Sequence, residues 1–251
     1  MDLENATLIH HWKFNDDVHD EISILSFKYT LSSFDNVPTS FTHNKDNVIT
    51  SALDNSTGKP LWTDEREGIK GKFAVSMWVQ YDETRNPQLY PLLSFTNDYN
   101  IRVSSKRTAF ITFMGTYLPM ITQFPANIKN GDWFHLLHQL DTDTGGFKLY
   151  INGILMKSGT PHFLEELELP AGRFCINGTY APEGYKDIGS KLNLDEIKVF
   201  TGWLTDGGVV TGGFAGGEVF ALYSSGVNNI PKPFNVVAVG LSKTTAAVTW
   251  E

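Results

Sequence analysis

The stretch from Gly131 to Gly153 constrains the fold of this chain more than any other. Trp133–Asp141 and Gly146–Ile151 alternate as strands, the Asp/Gly-rich run between them is a tight turn, and Asn152-Gly153 marks a second one. Asn-Gly and Asp-Gly pairs favour hairpins because they reach the positive φ that a twisted two-stranded ribbon demands. The segment therefore predicts an antiparallel sheet with one buried face.

The same period of two recurs along the chain, at Ile9–Phe14, Phe41, Val48–Thr50, Lys72–Tyr81, Leu89–Thr96, Ile101–Ser104, Ala109–Met114, Gly172–Ile176 and Leu192–Phe200. Turn-forming Gly, Asn, Asp and Pro separate these runs, and no long segment carries a helical period, so the expected fold is all-β, two packed antiparallel sheets. Within Lys72–Tyr81, Phe73, Val75, Met77 and Val79 share the core face. Trp78 falls on the opposite face, which predicts that this sheet's second surface is partly covered as well. A single short helix is expected at Glu218–Tyr223. The six glycines between Gly207 and Gly217 lack the Lys-Ser/Thr ending of a phosphate loop and read as a flexible connection.

With 251 residues and 41% hydrophobic content the chain can bury a full core. Cys175 is the only cysteine, so no intramolecular disulfide forms. It sits between Phe174 and Ile176 and is expected to be a buried strand residue. The net charge of −8, with scattered basic residues, argues against nucleic acid as a partner. No apolar run reaches the roughly 18 residues of a membrane span, so no membrane insertion is expected. The N-terminus lacks the basic region and apolar core of a signal peptide.

Four segments together resemble the concanavalin A-like, laminin G-type jelly roll: His11–Asp16, Phe73–Val79, the hairpin Trp133–Gly153, and Leu194–Phe200. The family's short helix ending in Leu-Tyr is matched by Leu222-Tyr223. The glycine-rich insertion before it departs from the family's short connection. Pro233–Glu251, with Val236-Val237, Thr244-Thr245-Ala246 and Val248-Thr249-Trp250, resembles the first two strands of a fibronectin type III domain. The expected organisation is a sandwich over residues 1–226, a linker at 227–232, and the beginning of a second sandwich at 233–251, with the polypeptide expected to continue past Glu251.

The laminin G resemblance implies a ligand held in a concave sheet or on loops at one rim. It also implies calcium in many relatives, at positions matching Asn15, Asp16 and Asp195 here. Calcium takes six to eight oxygen ligands, of which these would supply part. The plainer reading is that Asn15-Asp16-Asp17 forms an Asx turn and that Asp195 accepts a backbone hydrogen bond. For a sugar, aromatic rings beside Asn and Asp are the expected surface. Tyr99, flanked by Asn97 and Asn100, and the pair Tyr180 and Tyr185 in a polar turn, are the candidates.

Catalytic signatures are weak by comparison. The paired carboxylates of jelly-roll glycosidases are lacking, Glu166 and Glu168 being the nearest approximation. The seven histidines show no zinc spacing, and His135 and His138, three apart on one strand, face opposite ways. The expected role is a non-catalytic module that binds a glycan or cell-surface ligand, in a phage tail or fibre or on a cell surface. Two alternatives stand beside it: a structural or decoration domain that contacts only neighbouring domains or subunits, and a polysaccharide hydrolase or lyase.

Overall fold

A computed structural model describes residues 6–15, 21–22, 32–33, 40–42, 52–54, 60–63, 67–85, 91–96, 99–104, 106–113, 116–160, 169–181, 184–186, 192–226, 237–242 and 245–249. In chain order its strands are β1 (Thr7–Trp12), β2 (Ser32–Ser33), β3 (Ser40–Thr42), β4 (Ala52–Asp54), β5 (Leu61–Trp62), β6 (Lys72–Gln80), β7 (Pro91–Phe95), β8 (Tyr99–Ser104), β9 (Thr108–Phe113) and β10 (Thr116–Gln123). They continue as β11 (Trp133–Asp141), β12 (Phe147–Ile151), β13 (Ile154–Gly159), β14 (Phe174–Ile176), β15 (Thr179–Ala181), β16 (Gly184–Lys186) and β17 (Leu194–Thr201). The helix α1 (Gly217–Ser225) and the strands β18 (Val237–Ser242) and β19 (Thr245–Thr249) follow.

Two antiparallel sheets form the sandwich. The first runs β13-β12-β11-β6-β17-β4-β3, with β1 also paired to β17; the second runs β10-β9-β8-β7-β14-β5-β2. The expected two-sheet antiparallel jelly roll is thus present. Phe73, Val75, Met77 and Val79 on β6 and Leu136 and Leu140 on β11 meet Tyr99, Ile101 and Val103 on β8 and Ile111 on β9, all at most 1% exposed. Burying these rows from both sheets removes most of their apolar surface from water, the main favourable contribution to folding.

The central hairpin follows its sequence. Trp133–Asp141 lies along Lys72–Gln80 without a register break, and β12 pairs back onto β11. The first turn closes with the Gly145 N–H donating to the Asp141 carbonyl at 2.7 Å. At the second, Asn152 and Gly153 both take positive φ, 50° and 77°, the demand of a two-residue primed turn.

Two strands escape the alternation. β10 contains Pro119 and slips register between Thr116 and Met120, as an edge strand can, since proline lacks the N–H that a central strand donates to the ladder. β13 is the opposite edge of the first sheet and runs into polar residues. Val48–Thr50 and Glu166 and Glu168 lie outside the described residues.

Trp78 is buried, as its opposite facing predicts, because α1 covers the outer surface of the first sheet. Its ring stacks on Tyr223 at 6.1 Å, and a Cβ added at Gly226 would come within 2.5 Å of the Trp78 Nε1. The glycine-rich run differs from the expected flexible connection. Gly212 and Leu155 exchange backbone hydrogen bonds through Gly213, with the Gly212 N–H on the Leu155 carbonyl at 2.7 Å and the Leu155 N–H on the Gly213 carbonyl at 2.9 Å. The glycines supply positive φ at Gly207, Gly208, Gly212 and Gly217, so they serve tight folding of an ordered strap rather than looseness.

Candidate ligand-binding site

A cleft of about 420 Å³ opens at the end of the sandwich where β6 begins and β17 finishes. Val199 and Phe73 form part of its floor, and Phe95 and Phe174, with ring centroids 4.7 Å apart, form one wall. Period-two alternation brings these rings there: each strand enters or leaves the core at this end with an inward-facing residue. The rim carries Glu67, Lys70, Lys72 and Thr201, all exposed.

The other wall is the short segment Gly68-Ile69, bridged to Leu169. The Ile69 N–H donates to the Leu169 carbonyl at 2.9 Å and the Leu169 N–H returns at 3.0 Å. A Cβ at Gly68 would lie 2.4 Å from that carbonyl oxygen, so only glycine permits the approach that shapes the cleft. His10, 1% exposed, completes the lining with its ring stacked on Trp12 at 5.1 Å. Apolar ring surface below donors and acceptors is the usual make-up of a small-ligand pocket, and the volume falls within the few hundred Å³ such pockets occupy. Among the described lining residues Glu67 is the one carboxylate.

A second polar cluster lies on the outer surface of the first sheet, under α1. Ser76 Oγ is hydrogen-bonded to His135 Nε2 at 2.7 Å. Beside it, Glu196 accepts from His11 Nε2 and from Lys198 Nζ, each at 2.7 Å. Glu196 is the extra residue of a β-bulge between Asp195 and Lys198, with φ 49°. Ser76, His135, Glu196 and Lys198 border a chamber of only about 90 Å³. Burial first, and the Lys198 charge second, push His135 down to about 3, so it stays neutral. Among the described residues no acid orients the imidazole, since its Nδ1 has no hydrogen-bond partner there, and the arrangement lacks the third member of a nucleophilic triad. Alternation along β6 and β11 already places Ser76 and His135 on one face; their meeting depends on cross-strand register, which the sequence does not display.

Burial would raise the Glu196 carboxyl, but the hydrogen bonds from His11 and Lys198 and the Lys198 charge outweigh it and hold it at about 2, against an ordinary 4.5. A depressed carboxyl stabilises the fold above its unfolded pKa and loses that contribution as pH falls through the folded one. The melting-temperature gap between wild type and Glu196→Gln is therefore expected to be widest above about pH 4.5 and to close towards pH 2. A gap constant from pH 6 downward would remove this ion cluster from the stability of the fold.

The expected sugar-binding residues separate. Tyr99 is a correction: it lies on β8 and is 0% exposed, its hydroxyl hydrogen-bonded to His138 Nδ1 at 2.8 Å between the sheets, so its ring offers no face to a ligand. Asn100, 3% exposed, pairs across β7 with Ser94 on the outer surface of the second sheet. The Ser94 hydroxyl donates to the Gly178 carbonyl at 2.8 Å, immediately before the β15–β16 hairpin in which Tyr180 and Tyr185 are cross-strand partners. Asn100 and this hairpin are thus drawn to one surface, and Asn97 lies outside the described residues. Of the calcium candidates, Asn15 is exposed beyond β1, Asp195 is 1% exposed opposite Trp78, and Asp16 is outside the described residues. Among the described residues no three His, Cys, Asp or Glu side chains group as a metal site. The placed donors alone do not make a calcium cage. No described helix is long and apolar enough to cross a membrane.

The profile of the concanavalin A-like lectin/glucanases superfamily, of laminin G type, matches residues 44–209. The chain belongs to this superfamily. Solved structures place it among relatives of low identity. The botulinum neurotoxin serotype D binding domain superimposes with a TM-score of 0.62 at 15% identity, over 87% of this chain and 52% of that one. The serotype D ligand-binding domain in complex with N-acetylneuraminic acid gives 0.57 at 14% identity, over 87% and 50%. Domain 4 of AbnA, an extracellular arabinanase of Geobacillus stearothermophilus, in complex with arabinotriose, gives 0.53 at 20% identity, over 79% and 94%. The superfamily fold thus spans about half the length of the neurotoxin chains it matches and nearly all of the arabinanase domain. No match is found among the curated proteins.

Proposed function

We propose that this chain is a non-catalytic, lectin-like module that binds a glycan in the cleft at the end of the sandwich. The observation that carries the reading is the cleft itself, in which apolar rings lie beneath a rim of Glu67, Lys70, Lys72 and Thr201. The comparisons lend support of unequal weight. The arabinanase domain that holds arabinotriose is matched over 94% of its length, so its whole ligand-binding unit shares this fold. The neurotoxin chains are matched over about half, and the sugar named with one of them could lie in either half. Among the described residues the rim carries one carboxylate, whereas hydrolysis needs two flanking the scissile bond. Calcium, through Asn15, Asp16 and Asp195, and a virion or cell-surface setting belong to the same proposal.

Thr201 is exposed on the rim, so Thr201→Trp is expected to fill the cleft without disturbing the core. The test is titration of arabino-oligosaccharides and a broad glycan array against wild type and this variant, with calcium and again with chelator. Binding that weakens at least about tenfold, some 1.4 kcal/mol, in a variant of unchanged melting temperature places the sugar in the cleft. Binding that survives Thr201→Trp moves the site to the surface carrying Asn100, Tyr180 and Tyr185. Loss on chelation alone assigns calcium a part. An absence of binding throughout favours the structural reading, for which the exposed aromatic patch around Phe214 is the specific observation.

A further inference from the structure

The rim of the cleft is built on backbone that the sandwich pins at closely spaced residues. Ile69 is tied to Leu169 by the paired bonds described above. The Gly71 N–H donates to Thr142 Oγ1 at 2.6 Å, and the Gly71 carbonyl accepts the Thr142 N–H at 3.0 Å. The Lys72 carbonyl accepts the Gly202 N–H at 2.7 Å. Gly71 itself takes a φ of 77°, a bend that glycine makes at little cost, and it stands between two lysines. Lys70 and Lys72 both line the cleft and are exposed. The anchored backbone beneath these long side chains confines their ammonium groups to this rim. Among the described lining residues they accompany a single carboxylate, Glu67.

We infer that the cleft, taken as the glycan site proposed above, selects an acidic saccharide, one whose ring carries a carboxylate or a sulfate group. The chain as a whole has a net charge of −8 with its basic residues scattered, so an acidic ligand is repelled over most of the surface and gains where cations gather. The sugar ring lies over Phe73 and Val199, its anionic group is drawn to Lys70 and Lys72, and Glu67 and Thr201 take hydrogen bonds from its hydroxyls. A lysine ammonium is a compact charge with three rotatable donors, so it serves carboxylate and sulfate alike. Asp141 lies opposite Lys72 across the β6–β11 ladder. Part of the Lys72 charge is therefore answered within the protein, and Lys70 carries the larger share of the selectivity.

Calorimetric titration of the full chain with matched sugars tests this: trigalacturonate against galactotriose, and sulfated lactose against lactose. Salt is set at about 0.1 M and again at about 1 M, where the Debye length falls from about 10 Å to about 3 Å. In wild type the acidic member of a pair is expected to bind roughly tenfold more tightly at the lower salt, an advantage lost at the higher. The pair that shows it tells carboxylate from sulfate. Lys70→Gln should remove most of the advantage, Lys70→Gln/Lys72→Gln the rest, and Lys70→Arg should keep it, all at unchanged melting temperature. Neutral sugars bound as tightly as acidic ones, with both abolished by Thr201→Trp, overturn the selectivity and leave the cleft as the glycan site. An acidic preference that survives the double lysine substitution or Thr201→Trp also overturns it, and puts the anion elsewhere. No binding of these sugars or on the glycan array overturns the selectivity and the cleft together.

Discussion

Tyr99→Ala is expected to destabilise the fold by about 3–5 kcal/mol, the usual cost of emptying a buried aromatic site, and any fall in sugar binding should track unfolding rather than a lost contact. The ring is wholly buried, edge-on to Phe73 at 5.2 Å and near His138 at 5.7 Å. Tyr99→Phe keeps the packing and removes the hydroxyl from His138 Nδ1, and is expected to cost about 1–3 kcal/mol. Burial pushes His138 down to about 3 and Tyr99 well up, so both stay neutral and the bond does not titrate near neutrality. The linkage has a definite sign. Below an ordinary value of 6.5 the unfolded chain binds protons on His135 and His138 that the folded chain refuses until about pH 3, so stability declines as pH falls through that window. Urea unfolding of the three proteins checks the order wild type, Tyr99→Phe, Tyr99→Ala. Equal midpoints for wild type and Tyr99→Ala would overturn the inter-sheet placement.

Tyr99 also shows where sequence reading succeeds and where it stops. The alternation along Lys72–Gln80 and Trp133–Asp141, with its turns, encodes strands, faces and fold class, because the period of two is a local property of the backbone. It placed His135 and His138 on opposite faces, and Trp78 on a surface that α1 then covers. It did not reveal that a tyrosine between two asparagines opens a strand and turns inward. The flanking polar residues suggested a loop, but Ile101 and Val103 continue the inward row that Tyr99 begins. The cleft was invisible for a different reason. Phe73, Phe95, Phe174 and Val199 stand on four strands of two sheets, and their convergence is set by strand order and stagger, which no local pattern carries. The order of the strap is not legible in the sequence because six glycines within 207–217 mark loose linkers and tightly folded segments alike; only the anchors beside them tell the two apart.

The chief anchor is Asp206, and Asp206→Ala is expected to release the strap at a cost of roughly 2–4 kcal/mol, below that of breaking a fully buried pair because Lys148 is partly solvated. Its Oδ2 accepts from Lys148 Nζ and from the Tyr150 hydroxyl, each at 2.6 Å, and its Oδ1 accepts the Gly208 N–H at 3.0 Å. Lys148 also lies over the Trp203 ring at 5.7 Å. Two residues before Asp206, Leu204 is clamped by Gln139, which accepts its N–H at 2.6 Å and donates to its carbonyl at 3.3 Å. Without the carboxylate, the Tyr150 hydroxyl is left with Gln139 at 3.5 Å and Lys148 has lost its counter-charge. Burial would raise the Asp206 carboxyl, but the bonds from Lys148, Tyr150 and Gly208 outweigh it and hold it below its usual 3.8. Its contribution is therefore present above that value and fades as pH drops beneath it. Hydrogen exchange at pH 7 should show faster opening of the strap and α1 in Asp206→Ala, with β6 and β11 protected nearly as in wild type. Unchanged exchange over Trp203–Ser225 would show that the backbone bonds of Gly212, Gly213 and Ala215 hold the strap alone.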